Sequence, residues 1–375
     1  MKINDFKLER YFATFEIKAK HLLSSSDCES LLGRDLLQMA DSECTKLWQE
    51  LRLGYTDTKG HPLLRNEISG LYKTIKPDDV CVMAPEEGIF IALNVILDPG
   101  DHVIVIDPAY QSLAEIPQSI GCELTKWPVV PGNNKWNLDI TFLRSAIKKN
   151  TKLLILNFPH NPTGYIPDPD DFKEIIKIAL ENKLYLLSDE MYRYLELSET
   201  HRYDSACDIF ENGLSLSGLS KSFGLPGLRV GWLATRNKDM MRQIERFKDY
   251  TTICGSALSE ILAIIALRNR DLITGGNLRL IRENLDAAIS IFKRHSDILT
   301  WIETKGSSVA FPQLTSRIPA DEFCKKLMDH KSIMLLPGSV FNYPGNHFRL
   351  GLGRKNIREV LDEFEYFINE YYYTI

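Results

Sequence analysis

The chain has no apolar run long enough to cross a bilayer. Its longest, about Ile89 to Leu97, falls well short of the ~20 residues a membrane helix needs. There is no block of lysine and arginine, and a formal net charge of −5 offers nucleic acid no general attraction. Seven cysteines are scattered without a CxxC pair or a Cys/His grouping. Neither a zinc site nor a disulfide framework is therefore expected, and reduced thiols in a cytosol fit better. The first residues, MKINDFKLERYF, carry charges throughout and lack the apolar core of a secretory signal. Internal repeats and low-complexity tracts are absent as well, which argues against solenoid and tail-like classes.

What is present is an ordinary globular composition, 44% hydrophobic and 25% charged. Over 375 residues it is enough for one very large domain or two ordinary ones. From Val80 onward short apolar runs alternate with helical patterns. Val80 to Met83, Val103 to Asp107, Leu153 to Asn157, Leu184 to Ser188, Leu214 to Ser217 and Val230 to Ala234 read as buried strands. Helices are expected from Pro85 to about Leu97 and from Asp170 to about Asn182. Strands of this kind between helices indicate a mostly parallel sheet covered on both faces. Ligands of such sheets bind beyond the carboxyl ends of the strands. Tyr110, Asn161, Asp189 and Lys221 all fall just past such ends.

After about residue 255 long amphipathic helices take over, Leu258 to Ile273 and Leu278 to His295. Short strands follow at Ser308 to Phe311 and Ile333 to Leu336. A last helix, Asn356 to Tyr373, carries an apolar stripe from Ile357 to Tyr371. The expected division is a large domain over 46–260 and a smaller α+β domain formed by 1–45 with 261–375.

The densest chemical signal is Ser215 to Trp232, SLSGLSKSFGLPGLRVGW. Lys221 lies among Gly218, Ser220, Gly224, Gly227 and Gly231, small residues that let a ligand approach the backbone. A desolvated lysine there becomes a nucleophilic amine able to form Schiff bases. Arg229 is placed to hold a phosphate bidentately. The segment Gly218-Leu-Ser-Lys221-Ser-Phe-Gly-Leu-Pro-Gly-Leu-Arg229-Val-Gly231 resembles the pyridoxal-phosphate attachment signature of class I/II aminotransferases, and the resemblance extends over about 50–375.

That resemblance implies the fold-type I α/β architecture. Its large domain has a mostly parallel seven-stranded sheet flanked by helices, and a smaller α+β domain completes it. It also implies pyridoxal 5'-phosphate as cofactor, with Lys221 as its Schiff-base residue. Asp189, in Leu187-Ser-Asp-Glu-Met-Tyr192, would keep the pyridine nitrogen protonated, because an opposite charge favours the cationic form. Tyr192 would donate to the ring hydroxyl oxygen. Asn161, in Asn157-Phe-Pro-His-Asn161-Pro-Thr-Gly164, would do the same, and Tyr110 would stack on the ring. Arg349, in His347-Phe-Arg-Leu-Gly, would clamp the substrate α-carboxylate. Tyr55, in a Tyr-x4-Gly-x3-Leu-Arg segment, would reach the cofactor phosphate of a neighbouring subunit, which implies a homodimer.

Two stretches depart from the family pattern. The phosphate should rest on a helix N-terminus, which here reads Met83-Ala84-Pro85-Glu86-Glu87-Gly88. Pro85 has no amide hydrogen to offer, so the amides of Glu86 and Glu87 are expected to serve, helped by Arg229, Ser220 and Tyr55. Gly218 replaces a serine that many relatives use for phosphate, and either Ser217 or Ser220 would substitute. The run Ser24-Ser-Ser-Asp27-Cys28 is either a plain turn or a substrate-facing loop. Together with the Met83-to-Gly88 stretch it resembles a branch of the family that includes capreomycidine synthase-like enzymes. Transamination of an L-amino acid to a 2-oxo acid is thus expected. The alternative is a β-lyase or cyclising synthase on the same cofactor. A non-catalytic regulator would be expected to lose Lys221 or Asp189, and both are present.

Overall fold

In the computed structural model, residues 2–372 are described. The expected end of the last helix at Tyr373 lies outside them. The main sheet is built from β1 (Val80–Met83), β2 (His102–Asp107), β3 (Glu123–Gly132), β4 (Lys135–Leu138), β5 (Thr151–Asn157), β6 (Tyr185–Asp189), β7 (Gly213–Gly218) and β8 (Gly231–Ala234). Their spatial order is β1-β8-β7-β6-β5-β2-β3-β4. Neighbours from β3 through β2, β5 and β6 to β7 are parallel, while β8 is antiparallel to both β7 and β1.

The sheet thus has eight strands where seven were expected. The extra one, β4, folds back on the end of β3 through Asn133 and Asn134, both with positive φ, 52° and 58°. A two-residue hairpin needs that backbone, and asparagine tolerates it. The strand buries only alternate residues, Trp136 and Leu138, so it has no continuous apolar run to announce it.

The alternation of side chains along each strand sorts them to two faces. Ile104, Ile106, Leu154, Leu156 and Leu186 pack on one side, beneath the helix Pro169–Glu181. Val103, Val105, Leu153, Ile155 and Leu187 pack on the other, beneath the helices Pro85–Ile96 and Gln111–Ile120. Both faces are dry, as a parallel sheet requires.

The remaining strands are short: β9 (Leu299–Thr300), β10 (Val309–Ala310), β11 (Gln313–Leu314), β12 (Leu336–Pro337) and β13 (Phe348–Gly351). β13 pairs with both β10 and β12. Helices Arg270–Arg294, Ala320–Lys331 and Ile357–Tyr372 close over this small sheet around Phe292, Phe323, Phe348, Phe364 and Phe367. The N-terminal segment joins it through Leu23 and through a parallel bridge from His21 to Ile333. The helix Lys7–Phe15 lies instead against the Gln111 helix. The Lys7 amide donates to Gln111 Oε1 at 2.9 Å, and Gln111 Nε2 donates to the Asp5 carbonyl at 2.8 Å. Among the described residues no helix is long and apolar enough to cross a membrane.

Candidate active site

Four parallel strands, β2, β5, β6 and β7, end at one edge of the sheet. The turns leaving them carry Tyr110, Asn161, Asp189 with Tyr192, and Ser220 with Lys221. All of these line one cleft of about 440 Å³, together with Pro85, Glu86, Arg229 and Arg349. Tyr110, Asn161, Asp189 and Lys221, spread over more than a hundred positions, are thus assembled by strand polarity, while Arg349 is brought to them by β13 of the small sheet.

Lys221 lines the cleft and is half-buried. Its Nζ donates to Ser26 Oγ at 2.8 Å. Burial pushes the amine below its usual pKa; Asp27 opposes that shift and Arg349 adds to it. A larger fraction of the amine is then neutral and nucleophilic near pH 7.

Asp189 is buried, 5% exposed, at the end of β6. Its carboxylate accepts the Met191 amide at 3.1 Å, and no cation lies within 4 Å among the described residues. Burial raises its pKa to about 7, and the Met191 bond and the more distant Lys221 only partly offset this. Asn157 ties the site together: its Nδ2 donates to the Asp189 carbonyl at 3.1 Å, and its Oδ1 accepts the Asn161 amide at 2.9 Å. Nothing in the motif itself marks Asn157 for this role, since only the pairing of β5 with β6 brings it to Asp189.

Arg349, on β13, is 1% exposed. Its Nε and Nη2 donate to the Ser24 carbonyl at 3.2 and 2.9 Å, and its Nη1 to Asn161 Oδ1 at 3.2 Å. No carboxylate lies within 4 Å of it among the described residues, and burial lowers its pKa. A buried guanidinium held by neutral oxygens is a site for an anion.

The Ser24–Cys28 run is a cleft wall rather than an outward turn. Ser26 and Asp27 line the cleft, and Asp27 pairs with Arg354 through both carboxylate oxygens at 2.9 Å. The run passes so close to β13 that a Cβ on Gly351 would meet the Ser25 carbonyl at 2.3 Å, and one on Gly353 the Asp27 carbonyl at 2.5 Å. Cys28 is buried behind it, its thiol pushed up to about 12 by burial.

At the other end of the cleft stand Pro85 and Glu86, at the start of the Pro85 helix, with Ser220 and Arg229. Among the described residues the buried Ser220 and Tyr192 hydroxyls have no hydrogen-bond partner of good geometry, although Ser26 stands near that of Tyr192. Arg229 takes a left-handed backbone, φ 55°, after a 3₁₀ turn, and its exposed guanidinium donates from Nη1 to the Pro226 carbonyl at 3.1 Å while the residue lines the cleft. Burial raises the Glu86 carboxyl toward its neutral form. The Gly218 departure has a steric reason, since a Cβ there would lie 3.0 Å from Gly231 Cα and from the Val230 carbonyl.

Four expected cofactor contacts lie outside the cleft lining. Ala84 and Glu87 face a neighbouring apolar groove, where Glu87 accepts the Thr252 hydroxyl at 2.8 Å. Ser217 is buried within β7, opposite Trp232. Tyr55 is 91% exposed on the surface. Conversely, Glu9, Phe12 and Glu16 line the cleft with no role expected from the sequence, and Ser26 and Asp27 line it from the run for which a plain turn and a substrate-facing loop were both open.

The groups fit pyridoxal phosphate by charge and hydrogen bonding. An uncompensated carboxyl would meet the ring nitrogen, two orphaned hydroxyls and an arginine would meet oxygens, and a desolvated amine would meet the aldehyde. Comparison with known proteins agrees. The family described as Aminotransferase class I and II matches residues 20–364. A capreomycidine synthase of Streptomyces vinaceus is 30% identical over 71% of this chain and 67% of its own length. A PLP-dependent aminotransferase structure from Streptococcus suis superposes with a TM-score of 0.92 at 28% identity, covering 99% of each chain. A PLP-dependent cyclase structure gives 0.88 at 26% identity over 99% of this chain and 98% of that one. The chain is a pyridoxal-phosphate-dependent enzyme and belongs to the class I and II aminotransferase family.

Proposed function

We propose that the protein transfers the amino group of an L-amino acid to a 2-oxo acid, with Lys221 as the residue that carries the cofactor and then moves the proton at the substrate Cα. The carrying observation is that one cleft holds a desolvated amine, a buried carboxyl without a cation and a buried guanidinium without a carboxylate. Bound pyridoxal phosphate supplies an electron-withdrawing ring that makes the Cα proton acidic. Asp189 would keep the ring nitrogen protonated, Asn161 and Tyr192 would donate to the ring oxygen, and Tyr110 would supply the flat aromatic partner of the ring. Ser220, Arg229 and the start of the Pro85 helix hold the phosphate, and Arg349 takes the α-carboxylate. Replacing Lys221 with alanine is expected to abolish both the visible absorbance of bound cofactor and turnover; retained turnover would overturn the assignment.

The same proposal includes a homodimer. Leu53, Tyr55, Tyr250, Ile253 and Leu258 are large apolar side chains left exposed, and Tyr55 is assigned to the cleft of the second copy. Seven unpaired cysteines support a cytosolic setting. A second reading, a β-lyase or cyclising synthase, is favoured by the likeness to a capreomycidine synthase and to a PLP-dependent cyclase. Product analysis separates the two: transamination yields a 2-oxo acid that keeps the donor's whole side chain and passes its nitrogen to an acceptor, whereas elimination loses the β-substituent and releases ammonia, and cyclisation yields no 2-oxo acid.

A further inference from the structure

The seat for the cofactor phosphate is short of donors. It lies at the first turn of the helix Pro85–Ile96, where free backbone amides face a ligand. Proline at the first position removes one of them. Gly218 brings no hydroxyl to the same corner, and the Arg229 guanidinium gives one bond to the Pro226 carbonyl at 3.1 Å. Glu86, the second residue of the helix, lines the cleft beside Ser220 and Arg229. An ionised carboxylate there would set a full negative charge against a phosphate that is itself close to doubly charged.

The surroundings of Glu86 resolve the conflict. Its side chain stands between the cleft and the neighbouring apolar groove, and it lines both. Among the described residues it forms no ion pair. Burial raises its pKa most; nearby Ser112 opposes this, Glu9 on the N-terminal helix adds to it, and Arg229 opposes it from a distance. The negative charge of Glu86 in turn adds to the effect of burial on Tyr110 and Asp189. On the groove side Glu115 is already taken up by Asn4, whose side chain donates to it at 2.7 Å. The Ser112 hydroxyl, 3% exposed, has no hydrogen-bond partner of good geometry, and neither has that of Ser220 on the cleft side. Two buried hydroxyls thus flank a carboxyl that no cation holds, which marks the corner as one a ligand completes. Ser112 can donate to one oxygen of the carboxyl, leaving the other, with its hydrogen, for the cleft.

We propose that Glu86 grips the cofactor phosphate as a neutral carboxylic acid, donating its hydrogen to a phosphate oxygen, so that filling the seat takes up a proton. This rests on the phosphate seat assigned above and adds a side chain and a pH dependence to it. The acid supplies the donor that Pro85 and Gly218 withhold, and a bond from O–H to an anionic oxygen is among the stronger ones. The phosphate charge holds the proton on Glu86 more firmly than the empty site does. Below the pKa of the empty site both states carry the proton, and the grip is full. As pH rises from there toward the higher pKa of the filled site, affinity falls by up to about 10-fold per pH unit. Glu87 takes no part, since its carboxylate accepts the Thr252 hydroxyl at 2.8 Å in the groove.

The test strips the full-length protein of cofactor and titrates it with pyridoxal phosphate and with pyridoxal, which lacks the phosphate. Absorbance of the bound compound gives both dissociation constants between about pH 7 and about pH 9, where the phosphate is already largely a dianion. Their ratio isolates the phosphate, because Lys221 and Asp189 meet the same aldehyde and ring in both. In wild type the advantage of pyridoxal phosphate over pyridoxal is expected to fall by about 10-fold across this range. In Glu86→Gln, whose amide donates at every pH, it should change by less than about 2-fold. At the upper pH this variant should hold pyridoxal phosphate about 10-fold tighter than wild type. Glu87→Gln should follow the wild-type profile. A flat wild-type ratio, a Glu86→Gln ratio that falls as steeply, or a profile flattened by Glu87→Gln instead overturns the role of Glu86 and leaves the cofactor assignment standing. No absorbance band with either compound at any pH overturns both.

Discussion

Asp189 shows how a single side chain can cost stability while waiting for its partner. Its pKa rises from an ordinary 3.8 to about 7 because burial disfavours the charged form. Between these values the folded chain binds more protons than the unfolded one, so stability falls as pH rises from about 4 to about 7. The Asp189→Asn variant is therefore expected to melt higher than wild type at pH 8 when free of cofactor, by a few kcal/mol, and to lose that advantage at pH 4. The same variant should lose at least ~100-fold in turnover once cofactor is supplied, since an amide does not hold a proton on the ring nitrogen. Calorimetry at the two pH values, paired with an activity assay, checks both halves. Arg349 makes the complementary case. Arg349→Lys keeps the charge but not the planar fork, and kcat/KM is expected to drop by about 10–100-fold, mostly through KM.

At the scale of elements, the Ser24–Cys28 run and β13 depend on each other. The Ser24 carbonyl holds Arg349, and Gly351 leaves room for the Ser25 carbonyl. Gly351→Ala is expected to push this run away, lowering stability by about 1–3 kcal/mol and weakening substrate binding together, measured as a lower Tm and a raised KM. The strands that point at the site were legible in the sequence because they are buried on both faces and read as continuous apolar runs. β3 and β4 were not, since much of their surface is solvated and the signal reduces to Asn133-Asn134. Asp189 and Lys221 stood out through motif and position at strand ends, and Arg349 through the resemblance of its motif alone. Glu9, Glu16 and Asn157 did not, because a charged helix face or an asparagine at a strand end reads the same in any surface helix or turn. Only the packing of the N-terminal helix on the Gln111 helix turns the first of these toward the cleft.

For the whole molecule, the exposed apolar residues Leu53, Tyr55, Tyr250, Ile253 and Leu258 predict a particle of twice the 42.9 kDa chain mass in sedimentation. Tyr55→Asp should weaken both assembly and cofactor retention, whereas a particle of single chain mass with full activity would remove the dimer from the account. Purified protein reconstituted with pyridoxal phosphate is followed by visible absorbance while L-amino acids are added one at a time, and the products are identified. The account predicts a band of bound cofactor that is lost in Lys221→Ala. With a suitable donor it predicts a shift of that band, accompanied by one equivalent of the 2-oxo acid with the donor's carbon chain intact. A protein that shows no cofactor band after reconstitution, or a Lys221→Ala variant that still turns over, would contradict it.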